Sequence, residues 1–261
     1  MKEEFNFHVL YYSDDDFKYH VTSFLPFDKI TSTLGAYSQY TTLNLYNDTF
    51  NRDIKILIDT LKIDLIHIHH LKHMYLDIFK VAKERSIPVI YTLHDFYSIC
   101  PSVKLFNKET FLCNYANTAG CGSCIAKTFN LNINFIPLWR KEFYENLKTV
   151  KKIIVPSYST KNIFLNTYKD LTIEVVEHGY DKINGKPNND NPDKKKKNKK
   201  FNIAFIGYIT EEKGLKYLEE LTEKVKGTDI NVHLFGQTTN KKCNKNKKNY
   251  VYHGKYIPVS Y

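Results

Sequence analysis

Histidine, aspartate, serine, glycine and lysine recur directly after the apolar runs of this chain. In chain order these residues are His67, His69 and His70; His94 and Asp95; Ser157; His178 and Gly179; and Gly207, Lys213 and Gly214. Imidazole, carboxylate and hydroxyl groups exchange hydrogen bonds with hydroxyls, and lysine beside glycine binds phosphate. The set therefore suits a polar ligand that carries both hydroxyl and phosphate groups.

The segment from Phe201 to Gly214 is the most informative of these. A buried strand ends at Gly207, a short turn follows, and Lys213 with Gly214 opens a helix. The N-terminus of a helix presents unbonded N–H groups and a positive dipole, which favour phosphate, and Lys213 adds a positive charge there. The chain has no G-x-G-x-x-G and no Walker A sequence, which disfavours a dinucleotide dehydrogenase and a P-loop NTPase.

Four cysteines lie in one irregular stretch that runs from Phe96 to about Ile133. They are Cys100, Cys113, Cys121 and Cys124. Four thiolates can bind zinc tetrahedrally and fix a loop that lacks a core of its own. A single C-x-x-C pair with two more distant cysteines predicts a structural zinc site, and free or redox-active thiols are the alternative.

An α/β pattern must position these residues, because apolar runs alternate with segments of helical period. The strands are predicted at 5–12, 64–70, 89–93, 152–156, 172–177, 201–206, 230–235 and 250–252. The helices are predicted at 52–62, 75–82, 138–147, from Ser157 or Ser159 to Tyr168, and 213–226. In such a parallel sheet ligands bind outside the carboxyl ends of the strands, where the polar residues above are found.

A break in composition divides the chain. Residues 181–200 are Gly, Pro, Asn and Lys with almost no apolar positions, so we predict a linker there. Residues 1–180 then form a first domain and residues 201–261 a second. The second holds few elements for a parallel sheet that must be covered on both faces, so we expect it to be truncated.

The formal charge of +10 suits anionic partners. Lysine runs near 194–200 and 241–248 favour solvated loops. Nucleic-acid binding is the alternative, but no recognition-module signature accompanies the runs. The first residues are not continuously apolar, so we expect a cytoplasmic protein with reduced cysteines. Trp139, Arg140 and Lys141 beside a helix leave open a peripheral contact with the inner face of a membrane.

Five segments in order resemble glycosyltransferase family 4. They are 63–71, 87–101, 152–157, 175–181 and 203–214, and the resemblance spans roughly residues 60 to 240. It implies the GT-B architecture, in which two Rossmann-like domains face each other across a cleft. The amino-terminal domain would hold the acceptor and the carboxy-terminal domain the nucleotide sugar.

The resemblance also implies roles for single residues. His94, followed by Asp95, would lie beside the transferred sugar as the catalytic pair, and Gly207 with Lys213 would bind the donor diphosphate. On the donor side it adds Gly214, His178 and Gly179; on the acceptor side it places His67, His69 and Ser157. Tyr208 stands where the family commonly has arginine.

The implied reaction is sugar transfer with retention to a glycan or lipid-linked acceptor, in surface polysaccharide synthesis, with no catalytic cofactor. Two departures favour an alternative, a non-catalytic sugar- or nucleotide-binding remnant. The family's acidic motif, two glutamates eight residues apart, is expected after the last residue of this sequence and is not part of it, and Ser13 to Asp16 stand where a glycine-rich loop usually follows the first strand. A basic nucleic-acid-binding protein is the third alternative.

Overall fold

The computed structural model describes residues 5–25, 28–35, 44–105, 113, 118–179, 200–238 and 249–255. The chain divides into two compact units, Met1–Tyr180 and Asp181–Tyr261. Each contains a parallel sheet packed against helices, so the predicted α/β class is confirmed. The lysine runs predicted at 194–199 and 241–248 lie outside the described residues, as does most of the predicted linker.

The first unit opens with an antiparallel sheet in the order β1-β2-β3, made of β1 (Phe7–Ser13), β2 (Lys18–Leu25) and β3 (Asp28–Gly35). The prediction of a parallel strand at 5–12 is therefore wrong in its pairing. Ser13 to Asp16 form a hairpin turn, in which Asp16 Oδ1 accepts a hydrogen bond from the N–H of Lys18 at 3.3 Å. Aspartate between two alternating runs is a hairpin signal, and the turn stands where a glycine-rich loop was sought.

The rest of the first unit alternates helices with the strands of a parallel sheet. Its elements are α1 (Asp48–Leu61), β4 (Ile66–Ile68), α2 (Asp77–Glu84), β5 (Val89–Thr92), α3 (Thr118–Phe129), α4 (Phe135–Leu147), β6 (Lys152–Val155), α5 (Tyr158–Thr167) and β7 (Ile173–Val175). The strand order is β4-β5-β6-β7, and every neighbouring pair is parallel. All four strands therefore end at one edge of the sheet.

Two expectations for the region after β5 are corrected. The stretch predicted to be irregular contains α3, which buries Ile125 although its glycines lower the helix propensity. Trp139 on α4 is 1% exposed, and its indole N–H donates to the carbonyl of Tyr97 at 2.9 Å. The peripheral membrane contact through Trp139 is therefore wrong for that side chain, which is a core residue.

The second unit contains β8 (Phe201–Ile206), a single 3-10 turn (Glu211–Lys213), α6 (Leu215–Lys224), β9 (Ile230–Phe235) and β10 (Tyr250–Gly254). The parallel strands lie in the order β10-β9-β8. Leu215 and Leu218 of α6 pack in one core with Val232 and Leu234 of β9, because both sets of apolar positions face the same side.

Within the described part of the chain, no helix is both long enough and apolar enough to cross a membrane.

Candidate functional site

Four histidines stand side by side at the carboxyl edge of the first parallel sheet. Their ring centroids are separated by 4.0 Å from His67 to His69, 5.1 Å from His69 to His94 and 5.2 Å from His94 to His178. His69 Nδ1 also lies 2.9 Å from His94 Nε2. We call these four residues the histidine row. The sequence names all four as candidates, and the parallel strand order brings them together.

Two histidines of the row, His67 and His94, favour the neutral form. The pKa of His67 is lowered by partial burial, and the neighbouring His69 and His94 lower it further. The pKa of His94 is lowered by partial burial and by His69 and His178. His67 Nε2 is also 2.8 Å from the hydroxyl of Thr92, within hydrogen-bond distance. Neutral imidazoles each carry one donor and one acceptor, which suits hydroxyl groups better than it suits an anion.

Asp95 lies next to the row and holds a fifth histidine. Its Oδ2 accepts a hydrogen bond from Nδ1 of His70, and its Oδ1 accepts one from the N–H of Tyr97 at 2.7 Å. The roles assigned by resemblance pass over His70, although the residue follows the same strand as His69. Its position after β4, level with Asp95 after β5, is the signal that could have identified it.

Ser157 and Gly179 have simpler surroundings. Ser157 caps α5, since its hydroxyl oxygen accepts a hydrogen bond from the N–H of Thr160 at 3.2 Å. The predicted capping choice between Ser157 and Ser159 therefore falls on Ser157, whose acceptor-side role stays a prediction. Gly179 is exposed beyond β7, and a β-carbon added there would meet no atom within 4 Å.

In the second unit, glycines lie at the carboxyl ends of the parallel strands. Gly207 follows β8, Gly236 follows β9 and Gly254 ends β10; we call these three the glycine edge. The N–H of Gly207 donates to the carbonyl of Phe235 at 2.9 Å, and that of Gly236 to the carbonyl of Gly254 at 2.8 Å. A β-carbon on Gly236 would lie 1.8 Å from the carbonyl oxygen of Gly207. Gly236 and Gly254 also follow apolar runs, the signal that singled out Gly207.

Lys213 and Gly214 directly precede α6. Lys213 lies two residues before Leu215, the first residue of the helix, and Gly214 lies one residue before it. The helix therefore begins later than the predicted 213, and Gly214 is its N-cap with a φ of 85°. No side chain caps this end, so its first N–H groups have no side-chain acceptor, and the exposed Lys213 precedes them. Tyr208 is 48% exposed. The N–H of Leu215 donates to the backbone carbonyl of Thr210 at 3.1 Å. The helix start thus combines the positive end of the helix dipole with the charge of Lys213.

The four cysteines do not form a metal-binding set in the described residues, among which no three or more His, Cys, Asp or Glu side chains are arranged to hold an ion. Burial raises the pKa of the Cys100 thiol, and the nearby Cys113 and Cys121 raise it further. Arg140 donates to the sulfur of Cys121 at 3.4 Å, and Cys124 Sγ lies 3.9 Å from the hydroxyl of Thr128. The zinc site stays a prediction.

Comparison with known proteins gives a match to one family model, Glycosyltransferase Family 4, over residues 3–182. Among solved structures, the S. aureus MnaA-UDP co-structure is similar, with 13% sequence identity and a TM-score of 0.40. The similarity covers 86% of this chain and 55% of the MnaA chain, so this chain matches little more than half of that protein. No protein with a curated description matches.

Proposed function

Because the chain belongs to Glycosyltransferase Family 4, we propose that it moves a sugar from a nucleotide-sugar donor to a glycan or lipid-linked acceptor. The observation that supports this proposal is the contrast between two strand-end edges, a histidine row in one unit and a glycine edge with Lys213 in the other. The first edge suits hydroxyl groups and the second suits a diphosphate. Retention of configuration and a role in surface polysaccharide synthesis are finer parts of the same proposal.

The donor diphosphate would bind at the second edge. Gly207 carries no side chain, and a β-carbon there would meet no atom within 4 Å, so phosphate oxygens can approach its backbone closely. The start of α6 supplies the positive end of the helix dipole, and Lys213 would supply the charge that neutralises the departing diphosphate. Negative charge grows on that leaving group in the transition state, so preorganised positive groups there give the largest electrostatic benefit.

The sugar and the acceptor would bind at the first edge. His94 would contact the transferred sugar, with His67, His69 and Ser157 on the acceptor side. Depressed pKa values keep His67 and His94 neutral at physiological pH, so they would hydrogen-bond sugar hydroxyls rather than attract an anion. The charge of each edge therefore explains why the sugar and acceptor would bind at the first edge and the diphosphate at the second.

The experiment is a panel of nucleotide sugars incubated with the protein, with and without glycan and lipid-linked acceptors. Release of the nucleoside diphosphate and a glycosylated product is the expected result. Lys213→Ala should weaken donor binding about tenfold or more, because a phosphate-neutralising charge is lost. Lys224→Ala, at the other end of α6, is the matched control and should bind donor like the unaltered protein. Equal affinity of both variants would refute the donor site.

A second candidate is a protein that binds the nucleotide sugar without turning it over. It is favoured by Tyr208, which stands in place of a positively charged arginine. Calorimetric donor binding that depends on Lys213, together with no product from any donor and acceptor, would support this candidate over the enzyme.

A further inference from the structure

The pair formed by His70 and Asp95 has the arrangement of a base and its orienting group. Nδ1 of His70 bonds to Oδ2 of Asp95, and the two side chains are 46% and 20% exposed. The carboxylate therefore lies at the inner end of the pair and the imidazole reaches towards solvent. A carboxylate that holds Nδ1–H while the far side of the ring stays open is the geometry by which histidine accepts a proton from a hydroxyl.

The carboxylate is held rigidly. Its other oxygen, Oδ1, accepts from the N–H of Tyr97, and the Tyr97 ring is buried edge-on against Trp139 and Phe143, with centroids 5.0 and 5.7 Å away. The loop that carries Asp95 and Tyr97 is also closed by a hydrogen bond from the N–H of Phe96 to the carbonyl of Val103 at 2.9 Å. Asp95 thus has one position, and it fixes the ring of His70.

The hydrogen bonds also determine where the proton of the neutral ring lies. A carboxylate only accepts, so Nδ1 of His70 must carry the hydrogen, and Nε2 is left with a lone pair. Within the described ranges, the protein offers no hydrogen-bond partner to that Nε2. It is an accessible proton acceptor at the sheet edge that carries the histidine row.

A second His–Asp pair in the chain shows what a structural version looks like. His20 Nε2 lies 2.9 Å from Oδ2 of Asp16 in the β1–β2 turn, and its Nδ1 lies 3.3 Å from the hydroxyl of Thr33. Both ring nitrogens of His20 are therefore occupied. His70 differs in leaving one nitrogen open, so the two pairs form an internal control.

We propose that His70 is the general base that takes the proton of the acceptor hydroxyl, with Asp95 as its positioning residue. This inference rests on the glycosyl transfer proposed above. The acceptor oxygen bonds to the anomeric carbon on the face from which the diphosphate leaves, as the bond from that carbon to the diphosphate breaks, so configuration is retained. The hydroxyl proton passes to Nε2 of His70, and the electron pair of the broken bond leaves with the nucleoside diphosphate. The proton then returns to solvent.

Asp95→Asn tests the role of the His70–Asp95 pair, because asparagine has nearly the same shape as aspartate but lacks the carboxylate. Oδ1 of the asparagine must face the N–H of Tyr97, so its NH₂ group faces Nδ1 of His70 and donates to it. The ring then has to carry its hydrogen on Nε2, which is the wrong tautomer for a base. Asp16→Asn in the His20 pair is the matched control.

Two measurements on the whole protein need no substrate. Diethyl pyrocarbonate acylates unprotonated, accessible imidazole nitrogens, and peptide mass spectrometry gives the rate at each histidine. We expect His70 to react about tenfold faster than His20, and Asp95→Asn to remove most of that difference. Nitrogen-15 NMR should show the neutral His70 ring protonated on Nδ1 in the unaltered protein and on Nε2 in the variant. Equal rates for His70 and His20, or an unchanged tautomer, would overturn the proposal.

Activity provides the third measurement. His70→Ala and Asp95→Asn should each lower transfer to an acceptor by about a hundredfold or more while donor affinity stays the same. Added imidazole should restore part of the transfer in His70→Ala, which a merely structural role would not allow. Full transfer by His70→Ala would overturn the inference alone. If the unaltered protein transfers no sugar, the proposed function fails, and the two substrate-free measurements still decide whether His70 is an open, aspartate-held base.

Discussion

At the carboxyl edge of the first parallel sheet, imidazole side chains follow β4, β5 and β7, whereas in the second unit glycines follow β8 and β9 and end β10. Both edges end parallel strands and both offer hydrogen-bonding groups. In the first these groups belong to side chains that can titrate and be replaced one at a time. In the second they belong to the backbone, whose position depends on residues without a β-carbon.

This difference predicts two patterns of sensitivity to mutation. Replacing an exposed histidine removes one contact and leaves the sheet in place, because surface substitutions change stability little. Replacing a glycine whose neighbours occupy the space of a side chain forces the strands apart, so fold and function are lost together. The predictions below, from the largest expected effect to the smallest, test whether the two edges behave in these two ways.

Gly236→Ala should have the largest effect on stability. Its β-carbon would meet the carbonyl oxygen of Gly207 at 1.8 Å, and Gly236 has a φ of 144°. We expect the free energy of unfolding of the second unit to fall by about 3 kcal/mol. The only tryptophan, Trp139, lies in the first unit, so hydrogen exchange of the β8 and β9 amides is the suitable measurement.

Gly227→Ala is the control for Gly236→Ala. Gly227 has a φ of 76°, but a β-carbon there would meet no atom within 4 Å. It therefore carries the backbone strain without the clash, and we expect a loss of about 1 kcal/mol. If the two variants were equally stable, the close contact between Gly236 and Gly207 would not be the reason for glycine at this edge.

His94→Ala should show the opposite behaviour. The side chain is exposed, so the free energy of unfolding, followed by Trp139 fluorescence, should change by less than about 0.5 kcal/mol. If His94 contacts the transferred sugar, transfer should fall about a hundredfold. His8→Ala, in the antiparallel sheet, is the control and should leave transfer unchanged. A variant that lost stability and activity in proportion would contradict the distinction between the edges.

Ser157→Ala should cost about 1 kcal/mol, because the cap of α5 loses its hydroxyl acceptor for the N–H of Thr160. Ser159→Ala, two residues further along the same helix, should cost less than about 0.5 kcal/mol. Thermal or urea unfolding of the first unit measures both. Among the candidate residues of the first edge, Ser157 would then be the one with a measurable structural role. Equal costs for the two variants would show that Ser157 is not the effective cap.

The sequence predicts the parallel elements well because their signals are local. Apolar runs such as Val89–Thr92 and Phe201–Ile206 are bounded by breaking or polar residues, so the structure confirms strands at both places. No strands are predicted at β2 and β3, because apolar and polar residues alternate only weakly there and the pairing of the two strands depends on the turn between them. Helix α3 is missed because its glycines lower the helix propensity.

The candidate site is predictable as a set of positions and not as a set of contacts. Parallel strands must end together, so the rule of strand ends finds His67, His69, His94 and His178. It cannot show that His69 bonds to His94, or that His70 pairs with Asp95 while both nitrogens of His20 are occupied. The pairing of His70 with Asp95 depends on the loop around Tyr97, whose N–H donates to Oδ1 of Asp95. Gly236 was likewise recognised only as the end of a strand, because its close approach to Gly207 is a three-dimensional fact.

The smallest expected effect is the response of stability to pH. The pKa values of His67 and His94 are lowered in the folded protein, chiefly by burial, so between these values and the ordinary value near about 6.5 the unfolded chain binds more protons. Stability contributed by the neutral row is therefore present above about pH 6.5 and is lost as the pH falls towards the folded values.

The double variant His67→Gln with His94→Gln isolates this effect, because groups common to both proteins cancel when their pH profiles are subtracted. Between about pH 5 and pH 7 the stability of the variant should fall less steeply than that of the unaltered protein, as measured by urea unfolding. If broken hydrogen bonds lower the stability of the variant by the same amount at every pH, its curve of stability against pH is lower but has the same slope. Parallel curves would mean that folding does not lower the pKa values of His67 and His94. The distinction between a neutral, hydroxyl-binding edge and a positive, phosphate-binding edge would then fail.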